Sequence, residues 1–367
     1  MQRTISIKLN VTREQDKVLL ELQEAFRNAC NIIAPIAAEN RCWNRVALHN
    51  LVYTKLRSLS PLGSQMICNT IFSVCKAYKN RRILKDETVP LIVFHKGRSI
   101  HFDKRTYSIK GDMISLYTLQ GRIKVTMRMG PFQQQYFSQG VAKEAELVRR
   151  KGKWFFNLVL DVPDVEPIAH TTALGVDLGE NTLAALSSGK IFDGGKIRHE
   201  RDKFLAKRCQ LQSNGSQSAK QLLKKISGKE ARRMRHINHN VSKDIVKEAI
   251  RQQAGVIVLE DLTNIRKRIR AKKRVRTRLN RWAFRDLQMM IEYKAAAKGL
   301  KVIYVNPAYT SQTCSRCGQL GDRTGSLFRC SCGSQQHSDL NASHNICRLG
   351  LSIGSSTCAV NRTYVAA

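Results

Sequence analysis

Acidic residues are scarce in this chain, which has 28 Asp and Glu against 63 Lys and Arg and a formal net charge of +35 over 367 residues. Solubility needs far less charge of one sign. The excess predicts a polyanionic partner, and nucleic acid is the commonest one. A membrane surface fits less well, because no amphipathic basic helix stands alone in the sequence.

Long hydrophobic runs are also missing. No stretch of about eighteen apolar residues occurs, so we expect no transmembrane helix, and the opening MQRTISIKLN is typical of a strand rather than a signal peptide. The eleven cysteines form an odd set, four of which cluster between positions 314 and 332. This argues for metal binding and not for a disulfide framework. We therefore expect a reducing, cytoplasmic location.

The first half of the chain predicts a small β-barrel, formed by residues 1–12 and 83–165 and interrupted by a helical insertion at 13–82. Thr12 and Gln15 form a capping box at the start of the insertion. Helical spacing covers residues 18–38, 43–56 and 64–78. Strand-like alternation covers residues 4–9, 91–94, 100–102, 113–117, 123–127, 145–150 and 154–160.

The second half predicts a mixed sheet. From residue 171 the order is three strands, a basic helical region over 199–253 with a polar break at 213–218, a strand, a very basic stretch, a helix over 283–298 and a strand. This order is typical of a ribonuclease-H-like domain, which we place at residues 170–310 and 336–350. We expect residues 351–367 to be a disordered tail. The fold class is therefore α+β with several domains.

Three acidic residues follow or open regular elements of this half. Asp177 comes after a short apolar run, Glu260 closes the run GVIVL, and Asp339 stands at a predicted helix start. A carboxylate at the end of a buried strand is costly unless a positive charge faces it. A pair of divalent ions held by several carboxylates meets this need and supports phosphodiester hydrolysis. An Asp after a strand is often a turn residue, but the three together predict a metal-dependent nuclease.

Four of the cysteines have the spacing of a zinc site. Cys314-x2-Cys317 and Cys330-x-Cys332 are separated by twelve residues, and each pair is followed by glycine. Two such knuckles close a tetrahedral zinc site without an open position, so one structural Zn²⁺ is expected at residues 311–335. The second knuckle is one residue shorter than usual, and His337 is an alternative ligand.

A dense basic run lies five residues after Glu260. Its position beside the predicted metal site favours contact with a phosphate backbone, although such runs are often only solvated. Residues 203–235 form a second basic surface. Trp282 and Phe284 follow the run, and core packing is the better interpretation of both than stacking on bases. The predicted nucleic-acid contacts are Arg266, Lys267, Arg268, Arg270, Lys272, Lys273, Arg274, Arg276 and Arg278.

Taken together, several motifs resemble a known family. They are GVDLGENTLAALSSGK, RHINHNVSKDIVKEA, VIVLEDL, NPAYTSQTCSRCG, FRCSCG and SDLNASHNI, in this order over residues 171–350. The chain resembles TnpB, the RNA-guided nuclease of IS200/IS605-type transposons also called OrfB transposase, and its relatives the type V CRISPR effectors. The resemblance assigns a split RuvC-like site to Asp177, Glu260 and Asp339. It assigns a zinc ribbon to Cys314, Cys317, Cys330 and Cys332, and the shortened knuckle departs from the pattern.

The resemblance also implies an activity. A prokaryotic, nucleoid-associated protein of this kind would bind a guide RNA and recognise a short motif beside its double-stranded DNA target. It would cut the DNA at one Mg²⁺-dependent site holding two ions, with base pairing supplying the specificity. The N-terminal half would be a wedge barrel with a helical recognition insertion. Whether one or two copies bind each RNA is left open.

Several alternatives share parts of this pattern. Ribonuclease-H-fold transposases have the order Asp, Asp, Glu, whereas Glu is in the middle here, and a junction resolvase needs neither a zinc ribbon nor the N-terminal barrel. A compact type V CRISPR effector and a cleavage-silent RNA-guided repressor remain open, because the sequence shows neither the origin of the guide nor the alignment of the carboxylates. A zinc-ribbon binding protein without catalysis is disfavoured by the three carboxylates.

Overall fold

The computed structural model of the chain consists of two compact units, Met1–Pro163 and Asp164–Ala367. Both combine helices and strands, which confirms the mixed α and β class at this level. The finer domain limits within each unit stay predictions. The structure describes residues 1–81, 83–84, 87–168, 172–262 and 284–354.

The first unit contains an antiparallel sheet that curls on itself. Its strands are β1 (Gln2–Asn10), β2 (Ile100–Phe102), β3 (Tyr107–Lys110), β4 (Met113–Thr118), β5 (Gly121–Arg128), β6 (Val141–Arg150) and β7 (Lys153–Asp161). They pair in the order β2-β6-β7-β1-β5-β4-β3. Only residues 103–106 separate the outermost strands β2 and β3, so the two edges must lie close together. A nearly closed sheet of this kind fits the predicted barrel.

Three helices lie between β1 and β2 in the chain. They are α1 (Arg13–Glu39), α2 (Arg45–Leu59) and α3 (Ser64–Lys79). The predicted capping box of Thr12 and Gln15 opens α1. Pro35 lies inside α1, which continues for one further turn beyond it. The helices share one core with the strands, which includes Phe26 and Tyr78.

Residues 91–94 do not form the predicted strand. Helix side chains bond the backbone of this segment instead. Asn31 accepts from the Phe94 N–H at 2.8 Å and donates to the Phe94 carbonyl at 3.1 Å, and the Tyr78 hydroxyl accepts from the Ile92 N–H. Such long-range partners leave no local signal in the sequence. A further helix, α4 (Pro131–Gln139), was not predicted, because it buries none of its residues and so has no apolar stripe.

The second unit has a five-stranded sheet in the order β10-β9-β8-β11-β12. Strands β8, β11 and β12 are parallel, while β9 and β10 run antiparallel to their neighbours. The predicted succession of three strands, helices, strand, helix and strand is present. The strands are β8 (Ala173–Asp177), β9 (Thr182–Leu186), β10 (Ile191–Asp193), β11 (Val256–Glu260) and β12 (Lys301–Val305).

Helices cover both faces of this sheet. They are α6 (Gln217–Arg251) and α7 (Phe284–Ala296) on one face and α8 (Ser338–Gly354) on the other, while α5 (Gly195–Asn214) packs against α6. Alternate residues of β11 point to opposite layers. Ile257 shares a core with Ile245 of α6 and Ile291 of α7, whereas Val258 packs with Ile346 of α8. The sheet is therefore fixed from both sides, which holds the ends of its strands in place.

Two boundaries of the second unit bear on the predictions. The polar break at 213–218 separates α5 from α6, as expected. The tail does not begin at residue 351, because α8 continues to Gly354, and residues 355–367 lie outside the described residues. Within the described ranges no helix has the length and apolarity that a membrane crossing requires.

A small three-stranded sheet directly precedes α8. It contains β13 (Asp322–Thr324), β14 (Leu327–Arg329) and β15 (Gln335–His337), paired in chain order.

Candidate active site and cysteine cluster

Two of the predicted carboxylates end adjacent parallel strands. Asp177 is the last residue of β8 and Glu260 is the last residue of β11. The strands are in register, with Val176 opposite Leu259. Neighbouring strands are about 4.8 Å apart, so the residues that follow this pair stand side by side at one edge of the sheet.

Helix α8 brings the third carboxylate to the same edge. The Cys347 thiol donates to the carbonyl of Ala173 at 3.1 Å, and the backbone of Ser343 lies against Gly175. Four residues of a helix span about 6 Å, and two residues of a strand span about 6.6 Å. Contacts between α8 and β8 can therefore repeat at every fourth helix residue and every second strand residue. One further step along both elements places Asp339, at the start of α8, over Asp177, at the end of β8.

This approach of α8 to the sheet depends on two glycines. A Cβ at Gly175 would overlap the Ser343 carbonyl oxygen and stand 2.6 Å from the Cys347 nitrogen. A Cβ at Gly350 would stand 2.6 Å from a methyl group of Val258. A glycine inside an apolar strand often marks a close backbone approach, and this signal at Gly175 was available in the sequence.

The other two carboxylates act electrostatically on Asp177. Burial raises the pKa of Asp177 well above its usual range, and the charges of Glu260 and Asp339 raise it further, while Arg323 lowers it. Burial also raises the pKa of Glu260, with a hydrogen bond from Thr310 acting in the opposite direction. Glu260 and Asp339 therefore lie close enough to Asp177 to act on its charge, and a bound cation would relieve this repulsion.

Three further residues contact the carboxylates, and no sequence motif marked them as site residues. The Thr310 hydroxyl is 2.5 Å from Oε1 of Glu260, and Gln288 of α7 donates to the Glu260 carbonyl at 2.8 Å. The Arg323 guanidinium of β13 donates to Oδ1 of Asp339 at 2.9 Å. Arg323 thus places one positive charge beside a cluster of three acids.

The four predicted cysteines also meet. Their sulfur atoms all lie within 4.8 Å of one another, with Cys314 and Cys332 at 3.7 Å and Cys317 and Cys330 at 3.5 Å. Zinc with Zn–S bonds of about 2.3 Å separates its tetrahedral sulfurs by about 3.8 Å, so the cluster has the dimensions of a zinc site. The shortened second knuckle still directs both of its sulfurs inward. His337 lies outside this group and accepts the backbone N–H of Asp339 at 3.3 Å.

Local hydrogen bonds favour the thiolate form of Cys314 and Cys330. Burial acts to raise the pKa of Cys314, but the backbone N–H groups of Cys317 and Arg316, together with neighbouring thiols, outweigh it and lower that pKa to about 6. The backbone of Cys332 similarly lowers the pKa of Cys330. At Cys317 the backbone N–H of Gln319 acts to lower the pKa, but burial and the neighbouring thiols outweigh it and raise that pKa to about 12. Metal ions bind cysteine as thiolate, so this donor set fits zinc.

The nine predicted nucleic-acid contacts and Trp282 lie outside the described residues. Phe284 is buried in the core of the second unit, as expected. The second basic surface spans exposed residues of α5 and α6. The contacts that lie outside the described residues are Arg266, Lys267, Arg268, Arg270, Lys272, Lys273, Arg274, Arg276 and Arg278.

Family models match two parts of the chain. A model described as a probable transposase matches residues 157–266, and one described as a Cas12f1-like TNB domain matches residues 284–346. The first match includes Asp177 and Glu260. The second includes Asp339 and the cysteine cluster.

Similar proteins agree with these matches. The CRISPR-associated endodeoxyribonuclease Cas12f1 of Sulfoacidibacillus thermotolerans is 32% identical over 54% of this chain and 50% of its own length, so the chain spans about half of that relative. The structure of CasPhi-2 (Cas12j) bound to crRNA aligns with a TM-score of 0.52 and 12% identity over 96% of this chain and 98% of that one, which is a likeness of fold.

One relative is matched along nearly its whole length. The TnpB-like protein MJ0751 of Methanocaldococcus jannaschii is 30% identical over 269 residues, which are 68% of this chain and 95% of that protein. The carboxylates, the cysteine cluster and these similarities lead to one conclusion: the chain belongs to the TnpB family.

Proposed function

We propose that this protein is an RNA-guided DNA endonuclease. It binds a guide RNA, recognises a short motif beside the target and hydrolyses the DNA backbone at a single RuvC-like site formed by Asp177, Glu260 and Asp339. The observation that carries the proposal is the convergence of these carboxylates at one edge of a sheet held on both faces. Burial raises the pKa of both Asp177 and Glu260, and the neighbouring carboxylates raise that of Asp177 further, so a bound cation would stabilise the charged forms.

The architecture around the carboxylates supports a ribonuclease-H-like assignment. Three parallel strands, extended on one side by β9 and β10, which run antiparallel to their neighbours, carry helices on both faces. The order along the chain is Asp, Glu, Asp, which differs from the Asp, Asp, Glu order of transposases that catalyse strand transfer. Cleavage rather than strand joining is therefore the activity that we assign.

The carboxylates suit hard divalent cations such as Mg²⁺, which prefer oxygen ligands. Asp177, Glu260 and Asp339 would hold two such ions, which supply an activated water and stabilise the leaving oxygen. Thr310 and Gln288 orient Glu260, and the Arg323 guanidinium adds positive charge where negative charge develops on the scissile phosphate.

The cysteine cluster fits one structural zinc ion. Its four thiol groups complete a tetrahedron without leaving a position for substrate. The cluster lies in the segment directly before α8, so its folding fixes the chain that leads into Asp339.

Guide RNA and double-stranded DNA are the proposed partners. The net charge of +35 supports two polyanions, and the structural relative CasPhi-2 was solved with crRNA. We assign phosphate contacts to the nine basic residues between Arg266 and Arg278. The wedge barrel, the recognition insertion and a prokaryotic cytoplasmic location near the chromosome belong to the same proposal.

The test is cleavage of a plasmid matched to the guide. Protein purified with its RNA should cut this plasmid with Mg²⁺ and leave it intact with EDTA. The Asp177→Ala protein should retain RNA and bind the target DNA without cutting it. Unchanged cleavage by Asp177→Ala, or equal cleavage of an unmatched plasmid, would refute the proposal.

A second candidate is a compact type V CRISPR effector, favoured by the match of residues 284–346 to a Cas12f1-like domain. The chemistry at the site would be the same, and only the origin of the guide differs. Sequencing of the RNA that co-purifies with the protein distinguishes them. Transposon-end sequence supports the first candidate, and repeat-spacer sequence supports the second.

A further inference from the structure

Glu260 is held by a polar network that also anchors the cysteine cluster. Thr310 is 4% exposed, and its hydroxyl lies 2.5 Å from Oε1 of Glu260 and 3.1 Å from the Pro307 carbonyl. The hydroxyl has one proton, and a carboxylate oxygen at the shorter distance takes it in preference to a carbonyl. Thr310 thus fixes the position of one Glu260 oxygen, which also sets the direction of the second oxygen.

Thr310 is itself held by α8. The side-chain amide of Asn345, which is 3% exposed, has two N–H groups. They donate to the Thr310 carbonyl at 2.9 Å and to the Thr313 carbonyl at 2.6 Å. Both donors of this buried amide are therefore used on the loop between β12 and the first knuckle, and Thr310 cannot shift without breaking them.

One turn earlier on α8, Asn341 continues the same network. Its amide donates to the Thr313 carbonyl at 2.7 Å, and its carbonyl oxygen accepts from the Ser315 N–H at 2.8 Å and from Gln336 at 2.9 Å. Residues 313 and 315 flank Cys314. Helix α8, which carries Asp339 in its first turn, is therefore hydrogen-bonded both to the first knuckle and to the residue that orients Glu260.

We propose that Thr310 and Asn345 are positioning residues, which hold the Glu260 carboxylate in its metal-binding orientation and tie it to the loop of the cysteine cluster. This inference rests on the proposed function, because it assigns a task to residues around the same carboxylates. Glu has a long, rotamer-rich side chain, so a fixed partner for one oxygen determines where the other oxygen points.

The first experiment removes the hydroxyl without changing the size of the side chain. In Thr310→Val, the Mg²⁺ concentration for half-maximal cleavage should rise about tenfold or more, as is usual when a hydrogen bond to a metal ligand is lost. The rate at saturating Mg²⁺ should change less. Thr310→Ser, which keeps the hydroxyl, should stay within about threefold of wild type, and exposed Thr324→Val is the matched control for the substitution itself.

A second readout does not depend on activity. Fe²⁺ with ascorbate and peroxide cuts a polypeptide close to the bound ion, so the wild-type complex should be cut near Asp177 and Glu260. This local cutting should weaken in Thr310→Val and persist in Thr310→Ser. Zinc content and retained RNA should stay at wild-type levels in both. Thr310→Ala is made in parallel and carries the same expectation if the valine variant does not fold.

Asn345 tests whether the two residues act as one unit. Asn345→Ala should also raise the Mg²⁺ concentration for half-maximal cleavage. The double variant Thr310→Val/Asn345→Ala should need no more Mg²⁺ than the more impaired of the two single variants. Multiplied effects would mean independent roles and would overturn the inference. It would also be overturned if Thr310→Val matched wild type, or if Thr310→Ser were as impaired as Thr310→Val.

The Asp177→Ala protein distinguishes a failure of the positioning role from a failure of the proposed function. If it loses cleavage and local iron cutting while Thr310→Val keeps both, the positioning role is wrong and the proposed function stands. If Asp177→Ala itself cleaves normally, the proposed function fails, and the positioning role fails with it.

Discussion

Asp177 is the residue on which the electrostatics of the site act most strongly. Burial and two neighbouring carboxylates raise its pKa, so the folded protein holds this proton more tightly than the unfolded chain does. The stabilising effect is complete below the ordinary pKa of 3.8 and is lost as the pH rises through the raised pKa of the folded state. Without a divalent ion, the charged form of Asp177 therefore lowers the free energy of unfolding.

This predicts that Asp177→Asn stabilises the protein in the absence of added Mg²⁺. The gain should be small at about pH 4 and reach about 1–2 kcal/mol at about pH 8, because Asn carries no charge to bury. Denaturant unfolding at several pH values measures it, and exposed Asp112→Asn serves as the control. A destabilised or pH-independent Asp177→Asn protein would contradict the account of the site.

The sequence alone selected the three carboxylates and the four cysteines, whose sulfur atoms do lie together, but it did not select the residues that contact the carboxylates. Asp177 and Glu260 each close an apolar run, which any strand assignment places at a sheet edge. Thr310 and Arg323 act through contacts with residues 50 and 16 positions away. Contacts over such separations depend on the folded chain and leave no local pattern.

At the scale of elements, the packing of α8 on β8 places Asp339. Gly175→Ala should destabilise the protein by about 2–3 kcal/mol, because the new methyl group meets the helix backbone and α8 must move outward. Cleavage should fall even where the variant is fully folded, because Asp339 moves with the helix. Thermal or denaturant unfolding and a cleavage assay at a temperature where the variant is folded measure the two effects.

Gly228→Ala is the matched control for that substitution. Gly228 lies within α6, where a Cβ would meet only the mobile end of the Arg232 side chain at 3.2 Å. Alanine is a better helix former than glycine, so this change should stabilise by up to about 1 kcal/mol. If both variants lowered stability equally, the close contact at Gly175 would not be the cause.

Zinc binding by the cysteine cluster can be tested separately from the carboxylates. Purified protein should contain one zinc per chain, and Cys314→Ser should lose most of it, because three thiolates and a hydroxyl bind zinc poorly. Metal analysis measures the content. Exposed Cys209→Ser should keep full zinc, and equal zinc in both variants would exclude the cluster as the binding site.

Predictions of whole elements succeeded where periodicity was strong. The apolar stripes of α1 and α3 and the alternation of β4 and β7 identified those elements. They failed at residues 91–94, where Asn31 and Tyr78 replace a neighbouring strand, and at α4, which buries no residues. Alternation shows that a strand is possible, but it does not supply the neighbour that the strand needs.

At the scale of the whole molecule, the salt dependence of nucleic-acid binding measures how many of the 63 Lys and Arg residues contact phosphate. Replacing the nine basic residues between Arg266 and Arg278 by Gln should flatten the slope of log K against log salt by up to about 6–8, since each phosphate contact contributes about 0.7–0.9. Binding of guide RNA and of target DNA is titrated over a range of salt. Asp177→Ala should keep the wild-type slope, and an unchanged slope in the ninefold variant would remove these residues from the interface.

The central claim is that Asp177, Glu260 and Asp339 share one metal site. Anomalous X-ray scattering from crystals soaked in Mn²⁺ tests it most directly, because Mn²⁺ replaces Mg²⁺ at oxygen ligands and is located without reference to activity. We predict two peaks about 4 Å apart, which lie within coordinating distance of the three carboxylates between them and disappear in Asp177→Ala crystals. Saturating Mn²⁺ without a peak there, or with the carboxylates bound to separate ions far apart, would contradict the account.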